Sequence, residues 1–130
     1  MAKRLRSTPK PASSPEERRS REQGSVSHFD PQVGREQAKR RPALVLTDHR
    51  YNRASGLAVV CPLTSKVSKV KPYPFTLPIT VGSVDGAVLV DQLKSMDWER
   101  RGAEFHSKAP AKMIAKVRQY IAVLLQIPVR

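Results

Sequence analysis

"RPALVLTDHRYNRASGLAVVCPLT", residues 41–64, holds two apolar runs, ALVLT (43–47) and LAVVCPLT (57–64), on either side of a short polar stretch. Runs of this length, rich in Val and Leu and bounded by turn residues, read as strands buried in a sheet. Between them YNRASG (51–56) can form one helical turn before Gly56 breaks it. Outward from this pair come PFTLPI (74–79), AVLVDQ (87–92) and LKSMDW (93–98), with EFHS (104–107) a weaker run. Five or six short strands predict a small, curled antiparallel sheet. In SKAPAKMIAKVRQYIAVLLQIP (107–128), apolar Ile114, Val117, Ile121, Leu124 and Leu125 fall at helical spacing, with Ser107 and Pro110 as start signals and Pro128 as a stop. The fold class predicted is therefore mainly β, a small antiparallel barrel with one amphipathic C-terminal helix packed on it.

Immediately before the first run, GREQAKRRP (34–42) crowds Glu36, Lys39, Arg40 and Arg41 against a proline. Pro42 fixes its own φ and biases Arg41 towards an extended backbone, so the guanidinium leaves the chain in a nearly determined direction. Over the whole chain of 130 residues, Lys and Arg number 24 against 11 acidic residues, a formal charge of +13. That excess goes well beyond solubility and points to a polyanionic partner. There is no run of 18 apolar residues and no basic segment followed by an apolar leader, which predicts a soluble, cytoplasmic protein that does not engage a membrane. Cys61 stands alone inside an apolar run, so it cannot form an intrachain disulfide and reads as a core thiol. Residues 1–24 are dense in Pro, Ser and Arg and nearly free of large apolar side chains; they read as a disordered basic arm, with the folded domain spanning 25–130.

Few residue patterns carry chemistry. His28, His49 and His106 are scattered without a second ligand at metal-binding spacing, so no metal site is expected. In VDQLK, Asp91 and Lys94 are three apart and would face opposite sides of a strand, unlike the two-residue spacing of magnesium nucleases. Asp85 and Asp97 read as solvated turn carboxylates. No Gly-rich phosphate cradle occurs. What remains is metal-free acid–base and electrostatic chemistry, which suffices for RNA because the 2′-hydroxyl is an internal nucleophile. Lys66, Lys69 and Lys71 alternate with apolar residues and suit a strip that tracks an RNA backbone.

The ordered string FDPQVGREQAKRRPALVL (29–46) resembles the loop and second strand of the MazF/PemK toxin family, whose members carry FDP, G-x-E-Q and R-P in that order. The likeness continues through YNRASGLAVVCPLTS, where the family has a strand ending in P-x-T, through YPF, and through DGAVLVDQLKSMDWERRGAEF, where it has D-G followed by D-Q and an A-R-G-like turn. The resemblance implies an SH3-like curled barrel of the MazF/CcdB type, a homodimer, and a cofactor-free, metal-independent endoribonuclease toxin. Its substrate would be single-stranded mRNA cut at short motifs, and its inhibitor an antitoxin resembling MazE or PemI. It places catalysis on Arg41 and Thr64, with Glu36 abstracting or positioning a proton, and RNA binding on Gln37, Lys39, Arg40, Lys66, Lys69, Lys71, Asp91 and Gln92. Structural roles stand beside these: a strand-end cap for Thr64, an ion pair with Lys39 or Arg40 for Glu36, an internal anchor for Asp91. Two departures are visible. Arg35 stands where some members have histidine, and GSVSHF (24–29) is shorter and less apolar than the family's first strand, which predicts a truncated strand and a poorer sheet edge. The competing classes are a non-catalytic toxin of the same fold, such as a gyrase poison, and a degenerate homologue that binds without cutting.

Overall fold

Among the described residues, seven strands and two helices succeed one another as β1 (Ser25–Phe29), β2 (Arg41–Val45), α1 (His49–Ser55), β3 (Ala58–Thr64), β4 (Thr76–Val81), β5 (Val84–Leu89), β6 (Lys94–Met96), β7 (Glu104–Lys108) and α2 (Ala111–Leu125). A 3-10 turn, Val90–Gln92, follows β5. The structure, a computed structural model, describes residues 15, 22–30, 41–64, 75–82 and 84–128. All pairings are antiparallel, and the strands lie in the order β4-β5-β3-β2-β1-β7, with β6 also pairing β3. β3 is shared along its length: Leu63 and Thr64 pair with β5, Ala58 to Val60 with β6.

Because side chains alternate across a strand, β1, β2 and β3 each feed two cores. Val26, Leu44, Cys61, Leu63, Ile79, Val81, Val88 and Val117 belong to the larger one, against which Met113, Ile114, Tyr120 and Ile121 of α2 pack. Phe29, Ala43, Val45, Ala58, Val60, Met96 and Trp98 form the smaller one on the opposite face. The sheet curls far enough for its ends to meet. At Gly82, where φ is +58°, an added Cβ would come within 2.6 Å of the Ser107 hydroxyl and 3.0 Å of His106 on β7. The tip of the β4–β5 hairpin therefore packs on the strand at the far side of the sheet, and only a glycine fits there.

Several sequence expectations change. GSVSHF is neither truncated nor an edge: β1 is an interior strand paired along its length with β2 and with β7, interrupted only by a bulge between Val26 and Ser27. Its low apolarity has a physical reason, since Ser25 and Ser27 are fully buried and small enough to sit between neighbouring strands. EFHS is a full strand, and Ser107 lies within it rather than at a helix start; Pro110 is the N-cap of α2. The single turn expected at YNRASG is the seven-residue α1, begun earlier by Asp48, whose Oδ1 accepts from the Arg50 amide at 2.7 Å, and closed by left-handed Gly56. The Asp91–Gln92 dipeptide leaves the strand for the 3-10 turn, and β4 runs two residues later than PFTLPI. On α2, Val117 is fully buried, whereas Leu125, the last residue of the helix, is 57% exposed. No helix among the described residues is long and apolar enough to cross a membrane.

Candidate active site

Arg41 opens β2 and is exposed; Thr64 closes β3 and is half-buried. The β2–β3 ladder pairs Val45 with Val60, Leu44 with Cys61 and Ala43 with Pro62. Carried on through Pro42 and Leu63, the same register sets Arg41 across from Thr64. Both then lie on the face of Ala43 and Val60, and directly opposed side chains on adjacent strands have Cβ atoms about 5 Å apart. The row extends sideways: Phe29 of β1 is the partner of Arg41, and Ala87 of β5 is the partner of Thr64. A buried phenylalanine and a buried alanine thus flank a cation and a hydroxyl at the rim of the smaller core.

Two basic segments of the sequence attach at this row. Residues 31–40 join β1 to Arg41, and residues 65–74 leave from Thr64, so both connections spring from the same row. Together they carry six Lys/Arg and one acidic residue, whereas all described residues hold ten Lys/Arg and eight Asp/Glu. Glu36, Gln37, Lys39, Arg40, Lys66, Lys69 and Lys71 lie outside the described residues.

Asp91 and Gln92 are exposed in their 3-10 turn. That turn runs beside Cys61, whose Sγ lies 3.8 Å from the Val90 carbonyl. Burial, and secondarily the Asp91 carboxylate, push the Cys61 thiol up to about 12, so it stays protonated and inert. Cys61 alternates with Pro62 and points into the larger core, away from Arg41. Among the described residues no three His, Cys, Asp or Glu side chains are grouped to hold a metal ion.

Sequence reasoning passed over one arginine. The turn between β6 and β7 folds back so that the Arg101 carbonyl accepts from the Asp30 amide at 2.9 Å, next to Phe29 and hence at the same end as Arg41. The signal was present in DWERRG, where two arginines precede a glycine; Gly102 takes a positive φ of 58°.

Comparison with known proteins is decisive about ancestry. Residues 25–125 match the family described as PemK-like, MazF-like toxin of type II toxin-antitoxin system. The chain belongs to the PemK/MazF toxin family. It is 36% identical over 97 residues to the endoribonuclease toxin MazF of Escherichia coli K12, covering 75% of this chain and 85% of that one. To the endoribonuclease PemK of Escherichia coli it is 31% identical over 99 residues, 75% of this chain and 74% of that one. Among solved structures, a MazE-MazF crystal structure from Deinococcus radiodurans superposes with a TM-score of 0.71 at 37% identity, covering 82% of this chain and 96% of that chain. The PemK/MazF fold, a curled antiparallel sheet carrying a C-terminal helix, is thus shared at the level of both sequence and backbone.

Proposed function

We infer that the chain is an endoribonuclease toxin that cuts single-stranded mRNA at short sequence motifs without a metal or cofactor, acts in the cytoplasm as a homodimer, and is neutralised by an antitoxin of the MazE/PemI kind. The observation that supports this reading is the β2–β3 register, whose pairs end at Ala43 and Pro62 and which, carried two residues further on each strand, brings Arg41 level with Thr64. With the scissile phosphate over that row, the 2′-oxygen attacks phosphorus and loses its proton to Glu36, the phosphorane's charge develops beside the Arg41 guanidinium, and the bond to the 5′-oxygen breaks. Arginine does not give up its proton near neutral pH, so Arg41 holds charge and orients the leaving oxygen while solvent supplies that oxygen's proton. Thr64 donates a hydrogen bond to a non-bridging oxygen. Gln37, Lys39, Arg40, Lys66, Lys69, Lys71, Asp91 and Gln92 bind the strand on either side, and the charge of the two connecting segments supports that assignment. A toxin that acts by contact alone has no use for the Arg41–Thr64 row, and the complete pairing of β1 removes the ground for a degenerate homologue.

The test is digestion of single-stranded RNA in EDTA with mapping of the ends. Fragments should carry a 2′,3′-cyclic phosphate and a 5′-hydroxyl. Cleavage that vanishes in EDTA and returns with magnesium would overturn the mechanism.

A further inference from the structure

The sequence scatters its three histidines, but the fold brings two of them together. β1 pairs Val26 with Ser107 and Ser27 with Phe105, so His106 is the extra residue of the bulge on β7. A bulge re-aims the side chain it carries. Here the His106 ring lies with its centre 5.1 Å from that of His28, the two planes inclined at 68°, and both residues are half-buried. The chain's other His and Cys side chains are elsewhere: His49 begins α1 beside Asp48, and Cys61 is enclosed in the larger core.

The surroundings of His106 distinguish its two nitrogens. Its Nδ1–Cε1 edge lies against the tip of the β4–β5 hairpin, where a Cβ added to Gly82 would be 3.0 Å from Cε1 and 3.5 Å from Nδ1. Nδ1 is also hydrogen-bonded with the Ser107 hydroxyl. The nitrogen of an imidazole that binds a metal is set by the hydrogen bond the other one makes, so this contact assigns Nε2 to a ligand. Two imidazoles that share one tetrahedral ion, with bonds of about 2.0–2.1 Å, have ring centres about 5 Å apart, and rotation about each metal–nitrogen bond lets the planes incline.

We propose that His28 and His106 bind one divalent ion of the zinc or copper class, which staples β1 to β7 at the seam. Imidazole nitrogen suits these ions, whereas magnesium takes oxygen ligands. With Nε2 of His106 on the ion, Nδ1 keeps the ring proton and donates it to Ser107 Oγ. Among the described residues no three His, Cys, Asp or Glu side chains are grouped to hold a metal, so water completes the shell and the ion exchanges with solvent. The site lies behind the candidate active site rather than in it. His28 pairs with Pro42, one step from the Phe29–Arg41 pair, and alternation turns it to the side of the sheet opposite Arg41. The ion therefore acts by favouring the folded chain and does not touch the phosphate. The proposal is independent of the nuclease reading, and its test reads binding and stability rather than cutting.

Zinc chloride is titrated calorimetrically into the full chain after dialysis against EDTA and then buffer, with magnesium chloride as the control. One zinc should bind per chain and, at about 100-fold above its Kd, raise the melting temperature by about 10 °C; magnesium should do neither. His28→Gln and His106→Gln should each weaken zinc at least about tenfold, Ser107→Ala by less than either, and His49→Gln less than about twofold. Circular dichroism and melting in EDTA check that the variants fold. A second reading needs no variant: in the unsubstituted chain the ring-nitrogen NMR signals of His28 and His106 should move together with zinc while those of His49 stay in place. Zinc affinity unchanged in either His28→Gln or His106→Gln would overturn the proposal. So would an equal response to magnesium, or ring signals of the pair unmoved by excess zinc, which would leave the two rings an aromatic contact only.

Discussion

At one end of the β1–β2–β3 ladder, Gly24, Val45 and Ala58 are enclosed and a polar network closes the chain over them; at the other, Phe29 is the last enclosed side chain, and Arg41 and Thr64 stand at the rim. The closed end is saturated with hydrogen bonds. Trp98 Nε1 donates to the Asn52 carbonyl at 2.8 Å, the Asn52 side-chain amide to the Thr47 carbonyl at 3.0 Å, the Thr47 hydroxyl to Asn52 Oδ1 at 2.6 Å, and the Val59 amide to Thr47 Oγ1 at 3.1 Å. Asn52 is fully buried, so each of these bonds avoids a desolvation cost. At the open end Arg41 is exposed and Thr64 only half-buried. In the proposed mechanism one end fixes the register and the other uses it, so damage at the two ends should separate stability from activity.

The largest effect should come from the open end. Arg41→Ala should slow RNA cleavage by roughly two to three orders of magnitude, as loss of an oxyanion donor does, while a chemical melt stays within about 0.5 kcal/mol of wild type. Arg41→Lys should recover little of that rate, because an ammonium cannot reproduce the planar two-pronged contact. Next comes the closed end: Asn52→Ala removes both side-chain hydrogen bonds to Thr47 and opens a buried polar gap, and urea unfolding should show a loss of about 2–3 kcal/mol with cleavage per folded molecule unchanged. A rate that falls with stability in that variant would break the separation. Thr64→Ala removes one neutral hydrogen bond and should cost about tenfold or less in rate.

The smallest effect concerns pH. Asp48 caps α1, and the hydrogen bond from the Arg50 side chain holds its carboxyl below the usual carboxylate range. A depressed folded value stabilises above the unfolded value, near pH 4, and the contribution is lost as pH falls through the lower folded value. Asp48→Asn keeps the cap but removes that titration, so its urea midpoint should fall less steeply than wild type below about pH 4; parallel curves would remove Asp48 from the acid response.

How much of this was legible depends on where each residue's information lies. β2 and β3 announced themselves because ALVLT and LAVVCPLT are long apolar runs, and α2 because Ile114, Val117 and Ile121 keep helical period. Arg41 and Thr64 were legible as candidates, but their register belongs to the ladder rather than to either strand. β1 was misread because burial between two strands suits small serines as well as large aliphatics, and a hydropathy pattern sees only the latter. β7 read only as a weak strand for a related reason: its side chains are at most partly buried, so EFHSK need not alternate cleanly. α1 was shortened because Asp48, the capping signal, was not weighed. Total charge misled in location rather than sign. Read as a property of the whole chain, +13 suggests a basic body, yet the described residues hold ten Lys/Arg against eight Asp/Glu, and most of the excess lies in the rest of the sequence.

The central claim is that Arg41 and Thr64 act on one phosphate because the β2–β3 register sets them opposite each other. A double-mutant cycle under single-turnover conditions in EDTA measures this directly, with cleavage rates for wild type, Arg41→Ala, Thr64→Ala and the double variant. Two side chains on a shared phosphate should couple by about 1 kcal/mol or more, so the double variant should be at least about fivefold faster than the product of the two separate losses. Losses that simply multiply, or a Thr64→Ala rate equal to wild type, would mean that the two residues do not share a phosphate and would contradict the claim.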